Sequence, residues 1–143
     1  MADHLRHRIL SGLLGLLTVP AWAAPDCANP VGEWLNEGGS LLEITAVSDE
    51  GRLEGRYHSS TGTDGSAFPM QGWFNTSEND PTMTSLAWSV RWEGYGSITS
   101  WTGACSADEA GPHIKTLWHL VRPGQDYDWE RIITNSSTFR PRQ

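Results

Sequence analysis

The sequence predicts an all-β fold, an antiparallel meander of eight short strands, and three observations predict it. β-rich runs recur at intervals of about ten residues, clusters of Gly, Asp, Asn and Ser separate them, and beyond Pro30 no stretch carries the apolar period of an amphipathic helix. Such a meander has two edge strands with unpaired backbone groups. Closure into a barrel or packing as a two-sheet sandwich removes that exposure, and periodicity alone leaves both open.

The 143-residue chain opens on a segment of another kind. In Met1–Ala23, His4, Arg6, His7 and Arg8 precede the apolar run Ile9–Val19, and Ala21-Trp22-Ala23 follows as a small-x-small cleavage pattern. The run is short for a membrane span and no second one follows. A signal peptide over residues 1–23, cleaved near Ala23, is therefore expected, with a secreted or periplasmic mature chain. Residues 24–143 then form one domain, a length in the single-domain range.

The candidate strands follow in order. Gly32–Asn36 and Leu41–Val47 come first, and the hairpin signal Ser48-Asp49-Glu50-Gly51 returns the chain into Arg52–Ser59. Ser60–Phe68, rich in Gly, Thr and Ser, reads as a loop, Met70–Asn75 as the fourth strand, and Thr76–Thr82 as the polar link to Thr84–Trp92. Glu93-Gly94-Tyr95-Gly96 is a second hairpin turn leading into Ser97–Cys105. Ser106–His113 reads as another long loop, and Ile114–Val121 and Glu130–Phe139 complete the set. No internal repeat or linker divides the domain.

The signal segment holds two arginines and one aspartate, so a formal net charge of −7 becomes −8 on cleavage, with Lys115 as the single lysine. That acidic balance repels phosphate backbones and anionic lipid surfaces, so neither nucleic acid nor membrane is an expected partner. The charges stand singly along the chain, as on a solvated surface.

Seven of the eight tryptophans lie in the mature region, at positions 34, 73, 88, 92, 101, 118 and 129. Residues two apart share a strand face. By that rule Trp88, Val90 and Trp92 face together, as do Ser97, Thr99 and Trp101, and Thr116, Trp118 and Leu120; Trp34 goes with Asn36, and Tyr57 with Ser59. A plain core would fill these faces with Val, Leu and Ile. Hydroxyl and amide groups cost free energy when buried without partners. The mixed faces point either to a cavity whose ligand supplies the partners or to a core whose polar groups bond backbone and water.

These residues resemble the avidin and streptavidin family across essentially the whole mature chain. Five spaced motifs carry the resemblance, in order: Gly32-Glu33-Trp34-Leu35-Asn36 with Gly39-Ser40; Gly51-x-Leu53-x-Gly55-x-Tyr57-x-Ser59; Trp88-x-x-x-Trp92; Ser97-x-Thr99-x-Trp101-x-Gly103; and Thr116-x-Trp118-x-Leu120. The resemblance implies an eight-stranded antiparallel up-and-down β-barrel that binds biotin in its open end, catalyses nothing and needs no cofactor. Carried over residue by residue, Asn36, Ser40 and Tyr57 match the donors to the ureido oxygen, Ser59 the acceptor from one ureido N–H, and Thr99 the hydroxyl facing the ring sulfur. Three fixed donors on one carbonyl oxygen act as an oxyanion hole does. Ser97 and the loop backbone near Thr63 match the carboxylate end, with the loop as a lid. Trp92, Trp101 and Trp118 match the walls around the bicyclic head, with Leu120 beside them. Trp129 matches the ring that tetrameric members donate to a neighbouring subunit's site, which implies a homotetramer, a dimer being the alternative. Without the resemblance, Trp129 reads as a ring buried in the last strand or the loop before it. Trp34, Trp73 and Trp88 are left to the scaffold.

One position departs from the family. Two residues before the aromatic of the last strand, relatives carry an Asp or Asn that accepts from the second ureido N–H; here, before Phe139, that residue is Ser137, and Thr134-Asn135-Ser136-Ser137 lacks the family's Val-Gly step. Hydrogen bonds to charged groups exceed neutral ones by roughly 1 kcal/mol, so biotin binding weaker than in the tightest relatives is expected. Asn135 takes the role if a bulge shifts the register.

Cys27 and Cys105 form an even pair in an exported chain, which points to a disulfide. Their placement resembles that of an intrachain bridge known in the family; an intersubunit bridge or free thiols are the alternatives. Closing 78 residues stabilises by up to roughly 4 kcal/mol on the chain-entropy account. His58, His113 and His119 show no metal-ligand spacing, and His119, alternating with Trp118, is expected to face outward. No Gly-x-Ser-x-Gly elbow, P-loop or Ser/His/Asp arrangement is apparent. Asn75-Thr76-Ser77 and Asn135-Ser136-Ser137 are sequons that matter only in a host that glycosylates. Three function classes compete: a biotin binder; a similar barrel for a biotin relative or another small ligand, which Ser137 favours; and a glycosidase using paired carboxylates in a Trp-lined groove. The acidic residues lie mostly in turns or on outward faces, which counts against the third.

Overall fold

Eight antiparallel strands close into one barrel in sequence order, with β8 returning to β1, which decides between the barrel and the sandwich. The computed structural model describes residues 23–143 except residue 81, so the expected signal segment lies outside the described residues but for its last, Ala23. The strands are β1 Gly32–Asn36, β2 Leu41–Val47, β3 Arg52–His58, β4 Ala67–Thr76, β5 Thr84–Trp92, β6 Ser97–Asp108, β7 Gly111–Val121 and β8 Ile132–Pro141. A single 3₁₀ turn, Asp128–Glu130, interrupts the β7–β8 connection.

Period-two alternation explains the core. In β5, Thr84, Leu86, Trp88, Val90 and Trp92 are buried while Ser85, Ser89 and Arg91 are exposed. Trp34, Leu42, Ile44, Leu53, Met70, Trp88, Ile114 and Phe139 fill the interior almost without exposure. Each such side chain contributes roughly 1.5–3 kcal/mol on burial. His119 is exposed on the outer face, as strand parity demands. Trp34 and Trp88 serve as scaffold, but Trp73 does not. Gly72 takes the inward position on β4, so Trp73 points out, 57% exposed, with the Arg52 guanidinium 5.8 Å from its ring.

The segment before β1 closes one end of the barrel. Cys27 is bonded to Cys105 within the chain, with their Cα atoms 5.4 Å apart. Thr84 Oγ1 donates to the Cys27 carbonyl (3.1 Å), and Trp34 Nε1 donates to the Pro30 carbonyl (2.9 Å). The chain reverses through 37–39 and 59–66 at the other end, which is left open.

Several boundaries differ from the sequence reading. β4 begins at Ala67 rather than Met70, and β8 begins at Ile132 because Glu130 belongs to the 3₁₀ turn. The expected long loop 106–113 is instead a tight hairpin, with β6 running to Asp108 and β7 starting at Gly111. Polar composition there signals cross-strand bonding, not a loop. Ser106 pairs with His113 and their side chains meet, Oγ to Nε2 at 3.3 Å; His113 Nδ1 lies 3.5 Å from Asp108 Oδ2. A Ser/His/Asp row therefore exists, contrary to the sequence reading, because the hairpin makes neighbours of residues that spacing keeps apart. Its carboxylate is held bidentately by Arg140 on β8 at 2.8 and 3.2 Å, so the row clamps three strands at the closed end.

The Arg140 hydrogen bonds, with help from the Ala110 N–H and the charges of Arg140 and His113, pull the Asp108 carboxyl from 3.8 down to about 2 against a smaller opposing effect of desolvation. A carboxyl that ionises more readily folded than unfolded stabilises above its unfolded value and loses that effect as pH falls through its folded one. Asp108→Asn is expected to lower the melting temperature at neutral pH, and the difference from wild type is expected to shrink as pH falls through about 2, where Asp108 loses its charge. Thermal melts across that range check it, and an equal deficit at both ends would assign the loss to packing.

Candidate functional site

Every ligand residue expected from the sequence except Trp129 borders one cavity of about 350 Å³ at the open end: Asn36, Ser40, Tyr57, Ser59, Thr63, Trp92, Ser97, Thr99, Trp101, Trp118, Leu120 and Ser137. Thr61, Gly62 and Tyr95 also line it and were missed. Thr61 and Gly62 lie in the loop already read as a lid. Tyr95 carried its own signal, an aromatic in the turn directly after Trp92, and its ring packs 6.2 Å from Phe68, itself 5.1 Å from Trp92.

The walls and floor are aromatic. Trp101 lies between Trp88 (5.6 Å, planes 11° apart) and Tyr57 (4.8 Å, 34°), and Phe139 meets both Trp88 and Tyr57 edge-on. The indole N–H groups of Trp88 and Trp101 are buried without a protein partner. Such an orphaned donor costs on the order of 1–3 kcal/mol.

Hydrogen bonds already made within the protein decide what each polar side chain still offers. Gly39, at φ +84°, turns the chain after β1 so that the Gly38 and Ser40 N–H groups both donate to Asn36 Oδ1, at 3.0 and 2.8 Å. With that oxygen saturated, Asn36 is left with its amide N–H₂ to donate. Ser40 Oγ accepts from the Ser60 N–H at 3.1 Å. Burial of the Tyr57 phenol pushes its pKa from 10.0 up to about 12, the Ser40 hydrogen bond opposing and the Glu37 charge adding, so Tyr57 remains a donor. Ser59 Oγ donates to the Thr61 carbonyl (2.7 Å) and accepts from the Thr61 N–H (3.3 Å), leaving one lone pair. Thr99 Oγ1 accepts from Trp92 Nε1 at 2.8 Å and keeps its proton for donation. Ser137 Oγ accepts from Trp118 Nε1 at 3.2 Å.

Barrel order arranges these groups along the wall. Ser137 comes from β8, Asn36 from β1, Ser40 from the start of β2, and Tyr57 and Ser59 from the end of β3. Donors thus occupy the middle, with Ser137 on one flank and Ser59 on the other. None of the lining side chains is formally charged.

The β7–β8 register is unbroken, with Thr116 opposite Ser137 and Trp118 opposite Asn135. No bulge brings Asn135 into Ser137's place; Asn135 is exposed and its Oδ1 accepts from the Ser136 N–H at 2.8 Å. Trp129 is neither buried nor at its own chain's cavity. It projects from the 3₁₀ turn, 74% exposed, stacked on Tyr127 at 4.4 Å with planes 11° apart.

The model of the avidin family matches residues 24–142. Avidin of Gallus gallus is 32% identical over 129 residues, covering 86% of this chain and 84% of avidin, and avidin-related protein 4/5 of the same organism is 27% identical over 126 residues, covering 86% and 83%. Among solved structures, xenavidin superposes with a TM-score of 0.66 at 30% identity, covering 76% of this chain and 93% of its own. A shwanavidin variant in complex with biotin superposes at 0.64 and 26%, covering 85% and 100%.

The Tyr57 phenol is expected to ionise only near pH 12, with its contribution to stability intact below pH 10.0 and lost as pH rises through about 12. Ultraviolet titration of phenolate in wild type against Tyr57→Phe checks this, and a difference that titrates at the ordinary tyrosine value would contradict the burial of the ring.

Proposed function

The chain belongs to the avidin family, and from that membership we propose that it is a non-enzymatic biotin-binding protein that holds its ligand in the open end of the barrel. The observation that carries the reading is the order of hydrogen-bonding groups around the wall: donors from Asn36, Ser40 and Tyr57, flanked by Ser59 and Ser137. A cyclic urea is the complementary shape, a carbonyl oxygen between two N–H groups. Thr99, donating its free proton, suits the thioether sulfur, and Ser97 with the loop at Thr63 suits the valerate carboxylate. Trp92, Trp101, Trp118 and Leu120 enclose the apolar ring faces, and the neutral lining matches a neutral head group. With Ser137 in place of a carboxylate, the bond on that flank weakens by roughly 1 kcal/mol.

Oligomerisation belongs to the same reading, a tetramer being the proposed form. The outer faces of β5, β6, β7 and β8 present Ala87, Thr102, Leu117 and Ser136 in one cross-strand row and Ser89, Ser100, His119 and Thr134 in the next, with no carboxylate, arginine or lysine in either. Beside them Ile98, Val121 and Ile132 form an exposed apolar row. A patch of this kind marks a protein interface. Trp129, exposed at the open end, is the ring proposed to reach a neighbour's cavity. Export to an oxidising compartment accords with the Cys27–Cys105 bridge.

Biotin titration followed by tryptophan fluorescence and calorimetry tests the reading. One site per chain is expected, with Asn36→Ala and Tyr57→Phe each weakening binding by about tenfold or more. Absence of both biotin heat and biotin competition would overturn it. Trp129→Ala is expected to release biotin faster than wild type while light scattering records the assembly; an unchanged release rate would remove the role proposed for that ring.

A further inference from the structure

The two flanks of the donor cluster are chemically unlike. Ser59 has committed its proton to the Thr61 carbonyl and one lone pair to the Thr61 N–H. What it has left can only accept, so a ligand atom on that side has to be a donor. Ser137 has committed one lone pair, to Trp118 Nε1 at 3.2 Å, and among the described residues no other protein group bonds its hydroxyl. It keeps a proton and a lone pair on a freely rotating O–H. Trp118 holds the oxygen in place through the bond it accepts, and the unbroken β7–β8 register keeps that oxygen on the cavity wall.

We propose that Ser137 makes one flank of the cavity indifferent to hydrogen-bond polarity, so that the protein binds, besides biotin, the cyclic carbamate relative in which the ureido N–H facing Ser137 is replaced by a ring oxygen. The inference rests on the biotin reading and concerns the selectivity of that same site. Facing an N–H, the Ser137 hydroxyl accepts; facing a ring oxygen, it turns and donates. A carboxylate at this position would confront that oxygen with its own lone pairs and be left desolvated and unpaired, the situation in which hydrogen-bonding sites discriminate most strongly. On the other flank, the regioisomeric carbamate sets its ring oxygen against the lone pair of Ser59 and meets that penalty here too. Selectivity is thus lost on one side of the ring and kept on the other.

The test is competition binding of biotin and of the two regioisomeric carbamates to the wild type and to Ser137→Asp. Wild type is expected to bind one regioisomer within about tenfold of biotin and the other at least about a hundredfold more weakly. Ser137→Asp is expected to bind biotin about fivefold more tightly than wild type and to reject both regioisomers, the favoured one losing about a hundredfold. Wild type rejecting both carbamates alike, or accepting both alike, overturns the inference, as does an unaltered pattern in Ser137→Asp. Should that variant fail to fold, the asymmetry between regioisomers on wild type decides alone. Failure of biotin itself to bind would strike the functional reading, whereas biotin bound with both carbamates excluded would strike this inference only.

Discussion

Closure of β8 onto β1 is the constraint on which the rest of the structure depends. It is the shortest seam in the barrel, with only Trp34, Leu35 and Asn36 in register with Pro141, Arg140 and Phe139. Side chains extend it: Glu37 Oε2 accepts from the Thr138 N–H at 2.8 Å, and Arg142 bonds Glu33 through both its backbone N–H (2.9 Å) and its guanidinium (3.2 Å). Without this seam the sheet would present two free edges, and Ser137 would not stand beside Asn36. The seam therefore serves both stability and the order of groups around the cavity.

Within the cavity, the protein satisfies one half of the Asn36, Ser59, Thr99 and Ser137 side chains and leaves the other half free. Asn36 loses its acceptor to two backbone N–H groups, Ser59 loses its proton, and Thr99 and Ser137 each accept from an indole. Bonds of this kind both orient a side chain and remove its ambiguity. They also spare the unliganded cavity part of the cost of buried polar groups, because these four side chains already have a partner. The tryptophans contribute twice, as apolar walls and, through Trp92 and Trp118, as the donors that hold the hydroxyls.

Ionic groups are kept off the cavity wall. The lining is formally uncharged, and the row of half-buried Ser106, buried His113 and exposed Asp108 lies at the closed end under the grip of Arg140. The acidic balance of the chain is carried on outer strand faces, in turns and at strand ends, where water screens it, while the two cross-strand rows that start at Ala87 and Ser89 on β5 carry no carboxylate. Two surfaces of different character result, one solvated and one suited to a neighbour.

From the sequence by itself came the all-β class, most of the strands, the inward faces and the identity of nearly every cavity residue. Period-two alternation is local, and hydroxyls alternating with tryptophan betray a polar lining wherever they fall. Composition misled where polar residues pair across strands, as at Ser106 and His113, and where a glycine takes an inward place, as Gly72 does beside Trp73. Strand periodicity left barrel and sandwich open and only the family resemblance pointed to the barrel, which the closed strand order bears out; tertiary structure decided the position of Ser137 rather than Asn135 on the cavity wall and the exposure of Trp129. It also decided which half of each hydroxyl remains free, because a lone pair or a proton is assigned by the distance and angle to a partner, two residues away for Ser59 and nineteen for Ser137, and a linear pattern carries neither.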